Sequence, residues 1–276
     1  MGLTREVYMA LRFIIAALAI AAAPFALAQN EALRRELVPT GKLRVAIAYS
    51  PAPSALYVLK DPAAPSGFRG VSIDLGVALA KQLGVGVEYV PYLASGEITD
   101  AADKNVWDVT FMPVDAERKK FVEFGNAYHL LQSTYLVAPN AGIQTLADVN
   151  REGVRIAGVA NTATGRASAV ASPKATTITV RGVDDGVALM KSGGAEAIAL
   201  SRESLAGLTS QIPGATVLEG GFMNSTTAIA VPKNKPLALA YVSAFIEAAK
   251  ASGDVRRALD AIGLTGSMVA PAGQKP

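Results

Sequence analysis

The sequence predicts an α/β fold of two lobes, each built on a mostly parallel sheet with flanking helices, with a cleft between them. Three observations predict it. Short apolar runs alternate with helical patterns from Leu43 to Phe111. The same alternation restarts at Val154. Two extended runs, over residues 133–138 and 226–231, bracket the second series and read as crossings between lobes.

The elements follow in order. Residues 43–48 read as a buried strand. Residues 73–83 carry the apolar spacing of a helix, with Gly84 placed as its C-cap. A strand over 87–90, a helix over 97–103 and a strand over 107–111 complete the first series. The second series is a strand at 154–159, a helix beginning near Thr164, a strand at 176–180, a helix at 183–191 and a strand at 196–200. Helices over 236–249 and 254–262 are expected to pack back on the first lobe. The first lobe is therefore expected to be discontinuous, 41–132 plus 227–264, and the second to span 133–226 with a hinge crossing at each end. Residues 265–276 read as a disordered tail.

Residues 1–28 read as a signal peptide. Arg12 flanks an apolar run of Ala, Ile and Leu, Pro24 interrupts it, and Ala26-Leu27-Ala28 gives a small-x-small end. Cleavage after Ala28 would leave Gln29 first, and Met9 offers a more compact start than Met1. The run is shorter than the roughly 20 residues that span a membrane. Secretion to the periplasm is the expectation. No cysteine follows the leader, so lipid attachment there is excluded, as are disulfides and thiol catalysis. The net charge of +3 is small, its cations are scattered and few aromatics interleave with them, which argues against nucleic-acid binding.

Several segments, taken together, carry a family resemblance. They are Gly41-Lys42-Leu43-Arg44-Val45-Ala46, Gly70-Val71-Ser72-Ile73-Asp74-Leu75, Trp107-Asp108-Val109, Glu117-Arg118-Lys119-Lys120 and Phe124-Gly125-Asn126-Ala127-Tyr128. In order and spacing, from about Gly41 to Leu264, the chain resembles the periplasmic solute-binding proteins of ABC importers, in the branch that binds polar amino acids (family 3). The resemblance implies a two-lobed periplasmic binding protein fold (type II). It also implies a small-molecule ligand in the cleft, delivery to a membrane permease, a monomeric state and no cofactor.

The resemblance makes Arg118 the expected partner of a ligand carboxylate. A guanidinium matches a carboxylate with two parallel hydrogen bonds. Thr110 and Phe111 precede it on the strand that leads to the cleft, and Tyr49 follows the first strand where the family often has an aromatic lid. Pro51 stands nearby at a position commonly aromatic. The turn Ala160-Asn161-Thr162-Ala163-Thr164-Gly165 offers hydroxyl and amide groups at a helix N-terminus, as caps, ligand contacts or both. Phe111 is read either as core or as a wall of the site.

Departures from the family pattern shape the expected ligand. Pro113 stands where a hydroxyl residue usually leads into the arginine, and it has neither side-chain donor nor backbone N–H. In the second lobe Ser201, followed by Arg202, replaces the aspartate that usually holds a ligand's ammonium. A zwitterion in a dry cleft needs both a cation and an anion. The chain keeps the first and lacks the second. A small organic acid without an α-amino group is therefore the expected solute.

Two rivals stand beside this reading. Dehydratases acting on cyclohexadienyl acids share the fold, and such a lyase needs a positioned acid, for which Asp115 and Glu203 are the nearest candidates. A sensory or accessory protein would bind a solute without transport. His129, the one histidine, reads as structural, because a single histidine makes a poor metal site.

Overall fold

A computed structural model describes residues 30–50, 54 and 56–276. The expected signal peptide and Pro51 lie outside the described residues. A helix over residues 30–37 (α1) precedes the first strand, β1 (Lys42–Tyr49). The first series continues through β2 (Tyr57–Lys60), β3 (Phe68–Arg69), α2 (Val71–Leu83), β4 (Gly86–Tyr92), α3 (Ser95–Asp100) and β5 (Val109–Pro113). β6 (Val122–Val137) leads out of it, past a short helix α4 (Leu146–Val149), to β7 (Arg155–Val159), α5 (Ala163–Ala171), β8 (Thr176–Val180), α6 (Val183–Lys191), β9 (Ala197–Ser201), α7 (Arg202–Leu208) and β10 (Thr216–Val217). β11 (Met223–Pro232) returns, and α8 (Pro236–Ala251) and α9 (Asp254–Ala261) complete the helices.

Local chemistry sets several boundaries. Gly84 ends α2 in the left-handed region at φ 66°, where its N–H caps the helix carbonyls. Pro236 opens α8, where a missing N–H costs nothing. Asp108, just before β5, accepts from the backbone N–H and the guanidinium of Arg44 on β1, fixing the register of the two strands.

One sheet path, β3-β2-β1-β5-β11-β6-β9-β7-β8, runs through both lobes. β1 lies parallel to β4 and β5, and β9, β7 and β8 are parallel to one another. β6 and β11 are the antiparallel crossings. β6 pairs with β11 from Val122 to Ser133, then with β9 from Ser133 to Val137. One strand thus pairs first with β11 and then with β9, changing partner at Ser133.

The first lobe's core gathers Leu43, Val45, Leu79, Phe111 and Tyr128 under α2, α8 and α9. A smaller core in the second lobe holds Tyr135, Val149 and Ile156. A third apolar cluster crosses between the lobes, from Ile98, Trp107 and Met112 to Val159, Val183 and Ile198. Each such side chain, fully buried, contributes roughly 1.5–3 kcal/mol.

The tail departs from expectation. Residues 265–276 are laid along β6 rather than disordered. Leu130 N–H donates to Met268 O at 3.0 Å, Ala270 N–H to Tyr128 O at 3.0 Å and Ala127 N–H to Gln274 O at 3.0 Å. Ala270 is buried against Val114, Ala127 and Ala228. The polar, Gly- and Pro-rich composition masked a segment that satisfies a strand edge.

Candidate functional site

Arg118 opens a short 3-10 turn (Arg118–Lys120) after β5. Its N–H donates to Asp115 Oδ1 at 2.8 Å. Its side chain turns inward and is 1% exposed. Nη1 donates to Pro113 O at 2.9 Å and Nη2 to Ser95 Oγ at 2.7 Å. Nε is buried with no hydrogen-bond partner among the described residues. Burial lowers its pKa to about 10, with Asp115 opposing the shift and Arg166 adding to it. At neutral pH the group is still a cation, held with one donor in reserve.

Ser95 and Pro113 border a small cavity between the lobes. Leu56 and Tyr57 complete its first-lobe wall, Leu131 of β6 adds another side, and Thr162, Ala163, Thr164, Leu200 and Ser201 form its second-lobe wall. Its volume is about 10 Å³, room for about one water. Among the described residues, no carboxylate lines it.

Three of the residues expected from the sequence meet here. Thr162 caps α5, accepting from Gly165 N–H at 3.0 Å, and its hydroxyl donates to Val159 O at 2.8 Å. Thr164 Oγ1 lies 3.4 Å from Ser133 Oγ of β6. Ser201 caps α7, accepting from Ser204 N–H at 3.3 Å. Cap and cavity wall coincide in Thr162 and Ser201.

The others are placed elsewhere. Thr110 is fully buried within the sheet, its hydroxyl donating to Ala46 O at 3.0 Å. Phe111 packs in the first lobe's core, edge to face with Tyr128 at 5.7 Å, and does not line the cavity. Strand alternation puts it on the face opposite Met112, which joins the apolar cluster between the lobes. Tyr49 stacks near Phe68 at 6.4 Å beneath Lys60 Nζ, also off the cavity. Asn161 sits on the rim in the left-handed region at φ 54°.

Sequence reasoning missed Tyr57 and Ser95. Tyr57 is buried on the cavity wall, and burial pushes its hydroxyl up to about 12. Ser95-Gly96 is a turn dipeptide opening a helix, a signal the sequence carried. No comparable signal marked Tyr57.

The rim is closed by polar pairs between the lobes. Asp115 pairs with Arg166 of α5. Asn161 Nδ2 donates to Asp100 Oδ2 at 3.0 Å, and Arg181 Nε to Glu97 Oε1 at 3.1 Å.

A larger cavity, about 890 Å³, lies at β6 and β11, between Leu130, Gln132, Asn224, α7 and the C-terminal tail. Glu203 lines it, meeting His129 Nε2 at 2.7 Å and the hydroxyl of Ser267. The network ties the tail, β6 and α7 together. Among the described residues no group of three or more His, Cys, Asp or Glu side chains is placed to hold a metal ion. No described helix is long and apolar enough to cross a membrane.

Comparison with known proteins agrees with this architecture. Residues 43–262 match the model of the bacterial extracellular solute-binding proteins, family 3. A search of curated proteins gives no match. Among solved structures, an ancestral amino acid-binding protein, described as a precursor of cyclohexadienyl dehydratase, is similar at 27% identity and TM-score 0.70, covering 82% of this chain and 97% of its own. An ancestral arginine-binding protein bound to glutamine shares 24% identity at TM-score 0.71, covering 81% and 98%. The substrate-binding protein of an amino acid ABC transporter from Streptococcus pneumoniae, bound to L-arginine, shares the fold at 19% identity and TM-score 0.71, covering 87% and 99%. With two lobes joined by crossing strands, a cleft between them and a family match over most of its length, this chain belongs to the bacterial extracellular solute-binding proteins of family 3.

Proposed function

We propose that the chain is a periplasmic receptor for a small organic acid without an α-amino group, delivered to the permease of an ABC importer. One observation carries the reading: a buried cation, Arg118, stands behind a cavity whose described lining residues include no carboxylate. A zwitterionic amino acid would leave its ammonium unpaired in that site, at a cost of several kcal/mol. An anion meets the hydroxyls of Thr162, Thr164 and Ser201 and the N-terminal end of α5 at the cavity wall, with Arg118, which does not itself line the cavity, held behind Ser95 and Pro113. The solute displaces the closed rim, and the lobes re-form around it.

The lyase reading lacks an acid in the cavity. Asp115 is paired with Arg166 on the rim, and Glu203 faces the other cavity. The receptor reading is favoured for that reason.

The test is thermal melting of the chain from Gln29 against amino acids and matched acids lacking the amine. A solute at a hundred times its Kd adds about 2.7 kcal/mol, a shift of roughly 5–11 °C for this size. The expected result is a shift with the amine-free acids that Arg118→Ala abolishes. A shift with amino acids alone overturns the reading.

A further inference from the structure

We propose that Gly96 sets how closely the two lobes approach, and so the size of solute that the cleft accepts. The inference rests on the reading of the interlobe cleft as the solute site. Gly96 lies in the first turn of α3, in the first lobe. A Cβ built on it would fall 2.5 Å from Ala160 O, 2.7 Å from Asn161 Cβ and 3.0 Å from Asn161 C. Those atoms belong to the turn between β7 and α5, in the second lobe. Two of the three are backbone, which cannot swing aside as a flexible side chain can.

Gly96 is not required by its own conformation, because its φ lies outside the left-handed region. What it supplies is the absence of a side chain where two backbones meet. The same helix and the same turn are joined a second time by Asn161 and Asp100. Asn161 is held at φ 54°, a region that asparagine tolerates better than most residues. The neighbouring residue of α3, Ser95, holds Arg118. The contact therefore fixes the arginine's support and the opposite wall of the cavity in one place.

The consequence is a tight closure limit. With the lobes in contact at Gly96, the cavity holds about 10 Å³, too little for an organic acid. A solute must hold the lobes farther apart than this contact allows. Gly96 defines the inner stop of the motion, and smaller solutes hold the lobes closer to it. A side chain at position 96 moves the stop outward and shifts preference toward bulkier acids.

The chain contains no cysteine, so labels can be placed at chosen positions. Spin labels at Lys104→Cys, exposed in the first lobe, and Val170→Cys, exposed in the second, report the distance between lobes. The measurement uses no solute, so its result is independent of which acid binds. The expected result is one short distance for the parent chain and longer ones for Gly96→Ala and Gly96→Val, increasing in that order. The lengthening should be about 1.5 Å or more, the withdrawal from 2.5 Å to ordinary contact at about 4 Å. Gly96→Ala carries the test where valine prevents folding. Distances unchanged by either substitution overturn the proposal. A parent chain as open as its variants does so too.

Discussion

Arg118 Nη2 donates to Ser95 Oγ at 2.7 Å, which places the cation of the first lobe under the N-terminal turn of α3. Nη1 is held by Pro113 O, so the proline that removes a side-chain donor supplies a carbonyl that aims the guanidinium. Arg118→Met should therefore have two separable effects. The unfolding free energy should fall by about 1–3 kcal/mol, because Ser95 Oγ and Pro113 O lose their donor in a buried site. Stabilisation by amine-free acids should vanish. Arg118→Lys keeps the charge without the fork and should retain only part of the solute shift. Urea unfolding with and without solute measures both. Full solute stabilisation in Arg118→Met would remove the arginine from the site.

Asp108 anchors the first lobe before any solute arrives. Its side chain is fully buried and pairs with Arg44, whose own side chain is 11% exposed. Breaking such a pair strands the surviving charge, so Asp108→Ala should destabilise the chain by about 3–5 kcal/mol. Changing both residues to apolar partners of similar volume should recover most of the loss. A double-mutant cycle in urea decides it. Independent, additive effects would mean that the pair does not act as a unit.

The tail should behave as part of the first lobe. Removing residues 267–276 takes away the three backbone bonds to β6, the buried Ala270 and the Ser267 hydroxyl on Glu203. At about 0.5–1.5 kcal/mol for each bond, the loss should be roughly 2–4 kcal/mol. Amide exchange at Leu130 should accelerate at the same time. An unchanged melting temperature would return the tail to the disordered state that its composition suggests.

What the sequence made legible follows from how each feature is encoded. Helix α6 and strand β8 are where the sequence placed them, and in α6 the helical spacing of Val183, Gly186, Val187 and Met190 buries one face. β6 is longer than the run at 133–138 suggested. Its first half is bonded on one side to β11 and on the other to the tail, both distant in sequence, and no local pattern records such partners. Thr162 and Ser201 were visible as hydroxyls at helix starts. Phe111 was ambiguous because strand alternation fixes which side it faces only once the register with β1 and β11 is known. Tyr57 escaped because nothing local distinguishes a cavity wall from ordinary core.

Tyr57 gives the last prediction, and its sign follows from burial. The unfolded tyrosine ionises near pH 10, whereas in the folded chain burial holds the proton to about 12, with the nearby Arg118 opposing. Between those values the unfolded state has lost a proton that the folded state keeps, so stability falls as pH rises. Arg118 acts the other way, since its pKa is lowered to about 10 and its proton leaves the folded chain first. The two trends overlap in the parent chain, and comparison with Tyr57→Phe isolates the tyrosine. Relative to the parent, Tyr57→Phe should gain about 2–3 kcal/mol between about pH 10 and about pH 12. Urea midpoints of both chains at about pH 9 and about pH 11.5 measure it, with no thiol chemistry to intervene. Parallel midpoints at both pH values would mean that Tyr57 reaches water when ionised, and that the cavity wall it forms opens without unfolding.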